Sequence, residues 1–173
     1  RLPQPAAELL NNAGTLWRMP ERECQYVAVD LLARQHARLV PGDCAALLHL
    51  VQEKPWWDTV DGLAGVIGDV VRAARKHGGE PQVAMDEALR APSLWVRRVA
   101  MLHQLGWRSE TDTDRLFGYA LALSGETDFF IRKAIGWALR DYARTAPQAV
   151  SEFLAGPGRV LSSLSRREAA KYL

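Results

Sequence analysis

Residues 55–71 read PWWDTVDGLAGVIGDVV, and this stretch decides the fold class. Its apolar residues recur three and four positions apart, which is the spacing of one face of an α-helix. Pro55 suits the first turn of a helix, because an N–H at that position would have no helical partner. Strand-like alternation is absent here and along the rest of the chain. The sequence therefore predicts an all-α protein.

Segments of this kind recur along the chain with a nearly constant period. They begin at Pro20, Pro55, Pro92, Asp128 and Ser165, which are 35, 37, 36 and 37 residues apart. Shorter apolar helices are predicted between them, near residues 43–52, 82–90, 112–123 and 147–155. Two helices per repeat of this length are typical of an α-solenoid of HEAT-like pairs. We expect about ten helices in a single domain over residues 1–173, curved so that the second helix of each pair lines a concave face.

The composition excludes several classes of protein. With 48% hydrophobic and 24% charged residues, a chain of 173 residues can bury a sizeable core. No apolar run approaches the roughly 18 residues of a membrane span, and no signal peptide is recognisable, so we expect a cytoplasmic protein. Cys24 and Cys44 lack CxxC spacing, which argues against a disulfide framework and a zinc site. The histidines also lack metal-ligand spacing, and we expect neither a metal nor another cofactor: His36, His49, His77 and His103.

The net charge of +2 conceals an asymmetry between the two halves of the chain. Residues 1–89 hold 9 Lys and Arg against 12 Asp and Glu, whereas residues 90–173 hold 13 against 8. The first half therefore carries −3 and the second half +5. An anionic partner is expected to bind the second half.

Four unusual residues are expected to share one surface. Counted from the start of their own second helices, Trp57, Asp61, Arg98 and Trp137 fall within an arc of about 60°, at 100° per residue. Trp57 and Asp61 are four positions apart and are neighbours on any helix. The helix from Asp128 places its basic residues on the same side as Trp137: Lys133, Arg140 and Arg144.

The neighbours of these residues have plainer explanations. Trp56 points about 100° away from Trp57 on a helix, so it is expected to pack in the core while Trp57 is displayed. Asp58 follows Pro55 closely and is expected to accept hydrogen bonds from free N–H groups at the helix start. The remaining tryptophans are expected in the core: Trp17, Trp95 and Trp107.

Residue chemistry alone points to a basic groove that holds a phosphate backbone, with Asp61 and aromatic faces at its centre. Arginines supply affinity for phosphates that does not depend on sequence. A carboxylate in such a groove is repelled by the phosphates, so binding alone does not explain it. Asp61 suggests catalysis on a cationic group.

Four stretches, PWWDTVDG, SLWVRRVAMLHQL, DFFIRKAIGWALRDYAR and LSRREAAKYL, resemble in this order the AlkD-like DNA alkylation repair glycosylases. These are bacterial and archaeal enzymes built of HEAT-like helical pairs. RECQYVAVDLL also looks like the family's repeat near the amino end, so the resemblance covers about residues 15–173. Family members carry further helices before this point, and we expect the amino-terminal helices of the full-length protein to be missing here.

The resemblance implies a role for each matching residue. The family's catalytic aspartate falls on Asp61, its two sugar-contacting tryptophans on Trp57 and Trp137, and its active-site arginine on Arg98. The implied reaction is hydrolysis of the N-glycosidic bond of N3- and N7-alkylated purines in duplex DNA, without a base-flipping pocket. The basic residues expected to bind DNA are Arg98, Arg140, Lys133, Arg144 and Arg167.

Two other functions stay open at this point, beside a monomeric glycosylase on double-stranded DNA. The first is a non-catalytic HEAT-like binding module for nucleic acid or protein, which would bind without releasing a base. The second is a hydrolase in which Asp58 and Asp61 divide the acid and base roles.

Overall fold

The computed structural model describes residues 5–78 and 80–173, and within these ranges it is all-α, as the periodicity predicts. In this part of the chain, ten α-helices are connected by short loops and 3₁₀ turns. The helices are α1 (Ala6–Arg18), α2 (Arg22–Gln35), α3 (Cys44–Gln52), α4 (Trp57–Arg75), α5 (Val83–Ala88), α6 (Leu94–Leu102), α7 (Thr113–Ala122), α8 (Phe129–Ala143), α9 (Pro147–Ala155) and α10 (Ser163–Ala169).

The helices form two layers that follow the predicted repeat. In one layer, called here the even layer, α2, α4, α6, α8 and α10 pack side by side in chain order. The odd-numbered helices pack against the back of this layer. Each predicted second helix begins within two residues of its predicted start. The period in the sequence thus corresponds to one helix of the even layer per repeat.

One continuous group of buried apolar residues runs through all ten helices, from Leu9 to Ala169. Trp17 and Trp107 are buried in it, as expected, and Trp95 is partly buried against it. No helix in the described ranges is long and apolar enough to cross a membrane.

Glycine allows two close approaches in this packing. A Cβ atom on Gly68 of α4 would lie 1.9 Å from the carbonyl oxygen of His103, at the end of α6. A Cβ atom on Gly136 of α8 would lie 2.5 Å from the Cβ atom of Glu168 on α10. Any larger residue at either position would therefore push the neighbouring segment away.

The amino ends of α4 and α8 lie close together. Each has two adjacent aromatic residues, Trp56 and Trp57 at α4 and Phe129 and Phe130 at α8, and the two pairs are in contact. α4 follows Trp56, whose backbone is extended, and α8 follows Asp128, whose side chain accepts hydrogen bonds from the first N–H groups of the helix. The ring centroids of Trp56 and Phe130 are 5.2 Å apart. This end of the even layer therefore exposes a group of aromatic side chains.

Candidate active site

Asp61 and Arg98 form a two-pronged ion pair between α4 and α6. The Nε of Arg98 donates to Oδ1 of Asp61 at 2.7 Å, and its Nη2 donates to Oδ2 at 2.8 Å. This parallel geometry fixes both planar groups relative to each other. The carboxylate of Asp61 is therefore held at a defined position on the even layer.

Arg98 is a buried residue whose other contacts also belong to this site. It is only 1% exposed, and its Nη1 donates to the backbone carbonyl of Phe130. Its guanidinium carbon lies 5.5 Å from the ring centroid of Trp137. These contacts join α4, α6 and α8 through one side chain. They favour a role in orienting Asp61, whereas a phosphate contact for Arg98 stays a prediction.

An open cleft of about 280 Å³ lies beside this ion pair. Trp57 is 45% exposed on one of its walls, and Trp137 is partly buried. The four residues that the sequence placed on one surface are thus brought together: Asp61 is bound by Arg98, which lines the cleft with both tryptophans. The complete lining is Trp57, Arg98, Phe129, Phe130, Lys133 and Trp137.

Trp137 is surrounded by cations. The ring centroid lies 5.3 Å from the Nζ of Lys133 and 5.8 Å from the guanidinium carbon of Arg140, in addition to the contact with Arg98. Lys133 and Arg140 are both paired with Glu168 of α10, at 3.2 and 3.1 Å. The indole face of Trp137 is therefore held in a strongly positive environment.

The other two basic residues expected at the interface have different surroundings. Arg144 lies at the end of α8, where its Nη2 donates to the hydroxyl of Tyr172 at 2.8 Å and its guanidinium carbon lies 4.5 Å from the Tyr172 ring. Arg167 of α10 is exposed to solvent. Neither residue lines the cleft beside Asp61.

Asp58 has separate partners from Asp61. It lies in the first turn of α4, where a capping role was expected, but it forms an ion pair with Arg22 of α2 and accepts a hydrogen bond from Tyr26 at 2.7 Å. Burial opposes ionisation of Asp58, but the hydrogen bonds from Arg22 and Tyr26 outweigh it and hold the pKa of the carboxyl below its usual range. Asp58 therefore links two repeats.

The prediction that Trp56 is a core residue is wrong. Its side chain is 48% exposed and packs against Trp95 and Phe130, at centroid distances of 5.9 and 5.2 Å. Trp56 precedes the helix with an extended backbone, so the 100° rotation between helical neighbours does not apply to it.

Sequence reasoning missed three residues of this site. Phe129 and Phe130 line the cleft, and Glu168 binds the basic residues of α8. A signal for the phenylalanines was present, because a second pair of adjacent aromatic residues at a helix start repeats the pattern of Trp56 and Trp57. The local sequence pairs Glu168 only with Lys171, three residues later, and its two partners on α8 lie 28 and 35 residues earlier.

The family model of DNA alkylation repair enzymes matches residues 1–173. This chain belongs to that family. A search of curated proteins found no match. A solved structure described as a predicted DNA alkylation repair enzyme from Enterococcus faecalis is 33% identical, with a TM-score of 0.85 over 98% of this chain and 78% of the other.

Two further structures share the fold of this alkylation repair family member at lower identity. AlkD2 from Streptococcus mutans is 19% identical, with a TM-score of 0.73 over 98% of this chain and 83% of its own. The protein smu.31 from Streptococcus mutans UA159 is 18% identical, with a TM-score of 0.70 over 98% of this chain and 86% of its own.

Proposed function

We propose that this member of the DNA alkylation repair family is a glycosylase that hydrolyses the N-glycosidic bond of cationic N3- and N7-alkylated purines in duplex DNA. The observation that supports this most is the Asp61 carboxylate, which the buried Arg98 fixes beside an open aromatic cleft. We expect the protein to act as a monomer on chromosomal DNA in the cytoplasm.

The chemistry of the lesion fits a site with a carboxylate and no evident general acid. An alkylated purine of this type already carries a positive charge, so it departs as a neutral base without being protonated. The transition state instead develops positive charge on the deoxyribose, which a fixed carboxylate stabilises. A carboxylate offers about four lone-pair sites, and Arg98 occupies two of those on Asp61. The others remain able to face the sugar and to orient a water molecule.

The two tryptophans would contribute to the same transition state. Their electron-rich faces attract cationic character within about 6 Å of the ring. Trp57 is displayed to solvent and Trp137 lies deeper in the same cleft, so a sugar that enters the cleft would contact both rings. Neither tryptophan has to donate a proton to the departing base.

Basic residues around the cleft would hold the DNA backbone. Lys133 and Arg140 lie beside Trp137, and Arg144 and Arg167 extend the positive surface along α8 and α10. Arginine and lysine bind phosphates irrespective of base sequence. Under this proposal the lesion is selected because its base is charged and its glycosidic bond is weakened. The protein therefore needs no pocket for the base.

The geometry disfavours the hydrolase in which Asp58 and Asp61 share acid and base roles. Each carboxylate has its own guanidinium partner, Arg22 for Asp58 and Arg98 for Asp61. The pKa of Asp58 is lowered by its hydrogen bonds, which overcome burial, and a general acid at neutral pH needs the opposite shift.

The proposal is tested by incubating the protein with methylated duplex DNA and identifying any released base by mass. We expect free 7-methylguanine or 3-methyladenine above the spontaneous rate, and no release of normal bases from undamaged duplex. DNA binding without base release would contradict the proposal and support the non-catalytic binding module.

A further inference from the structure

Glu168 of α10 is a buried carboxylate that binds three cations. It is 5% exposed, and its Oε1 lies 3.2 Å from the Nζ of Lys133. Its Oε2 lies 3.1 Å from the Nη1 of Arg140 and 2.9 Å from the Nζ of Lys171. These interactions lower the pKa of Glu168, with the hydrogen bond from Lys171 as the largest cause. Glu168 is thus a fixed anion beneath a positive surface.

The approach of Glu168 to α8 depends on a glycine. Gly136 leaves room for the Cβ and Cγ atoms of Glu168 beside the α8 backbone. From there the carboxylate spans Lys133 and Arg140, which are seven residues and therefore about 10 Å apart along the helix axis. Trp137 lies between them on α8, with both cations within 6 Å of its ring centroid.

One carboxylate does not neutralise this cluster. Three cations against one anion leave an excess of two positive charges. Lysine has three N–H donors and arginine five, so Lys133 and Arg140 each keep donors beyond the one used on Glu168. Glu168 therefore fixes these side chains and leaves them able to bind an anion.

We propose that Glu168 is a positioning residue, which holds Lys133 and Arg140 around Trp137 so that the indole ring and the DNA phosphates take their reactive arrangement. The inference rests on the proposed glycosylase function. Glu168 acts through its partners, because it is buried and is not among the residues that line the cleft.

Replacing Glu168 by a neutral residue is expected to affect DNA binding and the rate of the chemical step in opposite directions. A carboxylate near bound DNA repels the phosphates, so its removal should leave DNA binding equal or tighter. If Glu168 orients the reactive groups, the same removal should slow the chemical step, since small displacements in a catalytic site cost up to about 10²-fold.

The deciding variant is Glu168→Gln, which keeps the shape of the side chain and removes its charge. Glu152→Gln is the matched control, because it changes the net charge equally at an exposed position on α9. Three quantities are measured for each protein: the dissociation constant for undamaged duplex, the single-turnover excision rate on methylated duplex at saturating protein, and the indole N–H resonance of Trp137, assigned with Trp137→Phe.

We expect Glu168→Gln to excise about tenfold more slowly or worse, with undamaged DNA bound as tightly as by the wild type or more tightly. Its Trp137 resonance should shift, because the indole N–H is buried without a hydrogen-bond partner among the described residues and senses nearby charge. Glu152→Gln should match the wild type in all three measurements.

Excision by Glu168→Gln at the rate of Glu152→Gln would overturn the proposal. If the wild type itself releases no base, the glycosylase function fails, and the Trp137 resonance of Glu168→Asp, which keeps the charge, then decides: a shift supports positioning and an unchanged resonance refutes it. If Glu168→Gln does not fold, Glu168→Asp decides in the same assays. It keeps the charge but shortens the side chain by one methylene and so draws the carboxylate back from Lys133 and Arg140, and a wild-type rate would again overturn the proposal.

Discussion

Asp58 and Asp61 lie three residues apart on α4 yet have different partners. Asp58 faces α2, where Arg22 and Tyr26 bind it, and Asp61 faces α6, where Arg98 binds it. Burial distinguishes the two partners as well, because the Arg22 side chain is 30% exposed and that of Arg98 only 2%. Asp58 therefore joins two repeats at a partly solvated position, whereas Asp61 is fixed by a buried guanidinium beside the cleft.

We expect Asp58→Asn to lower the free energy of unfolding by about 1 kcal/mol, since it weakens a charged hydrogen bond that solvent partly screens. Base excision should stay near the wild-type rate. The pKa of Asp58 is lower in the folded state, so its stabilisation is present above the ordinary value of 3.8 and is lost as the pH falls below it. Urea unfolding of both proteins at pH 7 and in this acidic range checks the difference. Loss of excision at unchanged stability would instead support the two-carboxylate hydrolase.

At the scale of elements, the position of α10 against α8 is set by a glycine. Gly136 faces Glu168 and the carbonyl oxygen of Ser165, and a Cβ atom there would lie 2.5 and 2.9 Å from atoms of these residues. The side chain of Ser165 donates to the carbonyl of Arg132 and adds a polar contact between the same helices. The two helices therefore pack in one arrangement that a single methyl group would disturb.

We expect Gly136→Ala to destabilise the protein by about 2 kcal/mol, because the backbone of α10 must shift to admit the methyl group. Gly118→Ala is the matched control: it lies within α7, and a Cβ atom there meets nothing within 4 Å. This control should be neutral or slightly stabilising, since alanine favours the helix. Denaturant unfolding of both variants measures the effect, and equal stabilities would refute the role given to Gly136.

Periodicity in the sequence was sufficient to predict the helices and their repeat. The segments from Pro55 and Asp128 gave helix starts within two residues, because proline, capping side chains and apolar spacing act locally. The same spacing brought Trp57 and Asp61 to one face. Trp56 was misplaced because the rotation rule fails outside a helix, and Glu168 was missed because its partners are set by packing between repeats.

Across the whole molecule, the excess of positive charge lies in the second half of the chain. The cations nearest the cleft are Arg98 of α6 and Lys133 and Arg140 of α8, and the fixed carboxylate comes from α4. This arrangement would let the second half hold the phosphates while Asp61 faces the sugar between them. The proposed reaction would thus need three successive even-layer helices, α4, α6 and α8, in a fixed relation.

We expect Arg167→Ala to weaken binding to undamaged duplex at low salt and to reduce the slope of log affinity against log salt by about 0.9, the value for one phosphate contact. Arg90→Ala is the control, because Arg90 is also exposed but follows α5 in the opposite layer. Fluorescence anisotropy at several salt concentrations measures both slopes. The same slope for both variants would place Arg167 outside the interface.

The most direct test of the account is the single-turnover excision of 7-methylguanine by Asp61→Asn, with Asp58→Asn as the matched control. Binding of undamaged duplex shows that each variant is folded. We predict that Asp61→Asn loses about a hundredfold or more in rate while its affinity for DNA changes little, because in the proposed mechanism the fixed negative charge stabilises the sugar in the transition state. A rate for Asp61→Asn equal to that of Asp58→Asn would contradict the account.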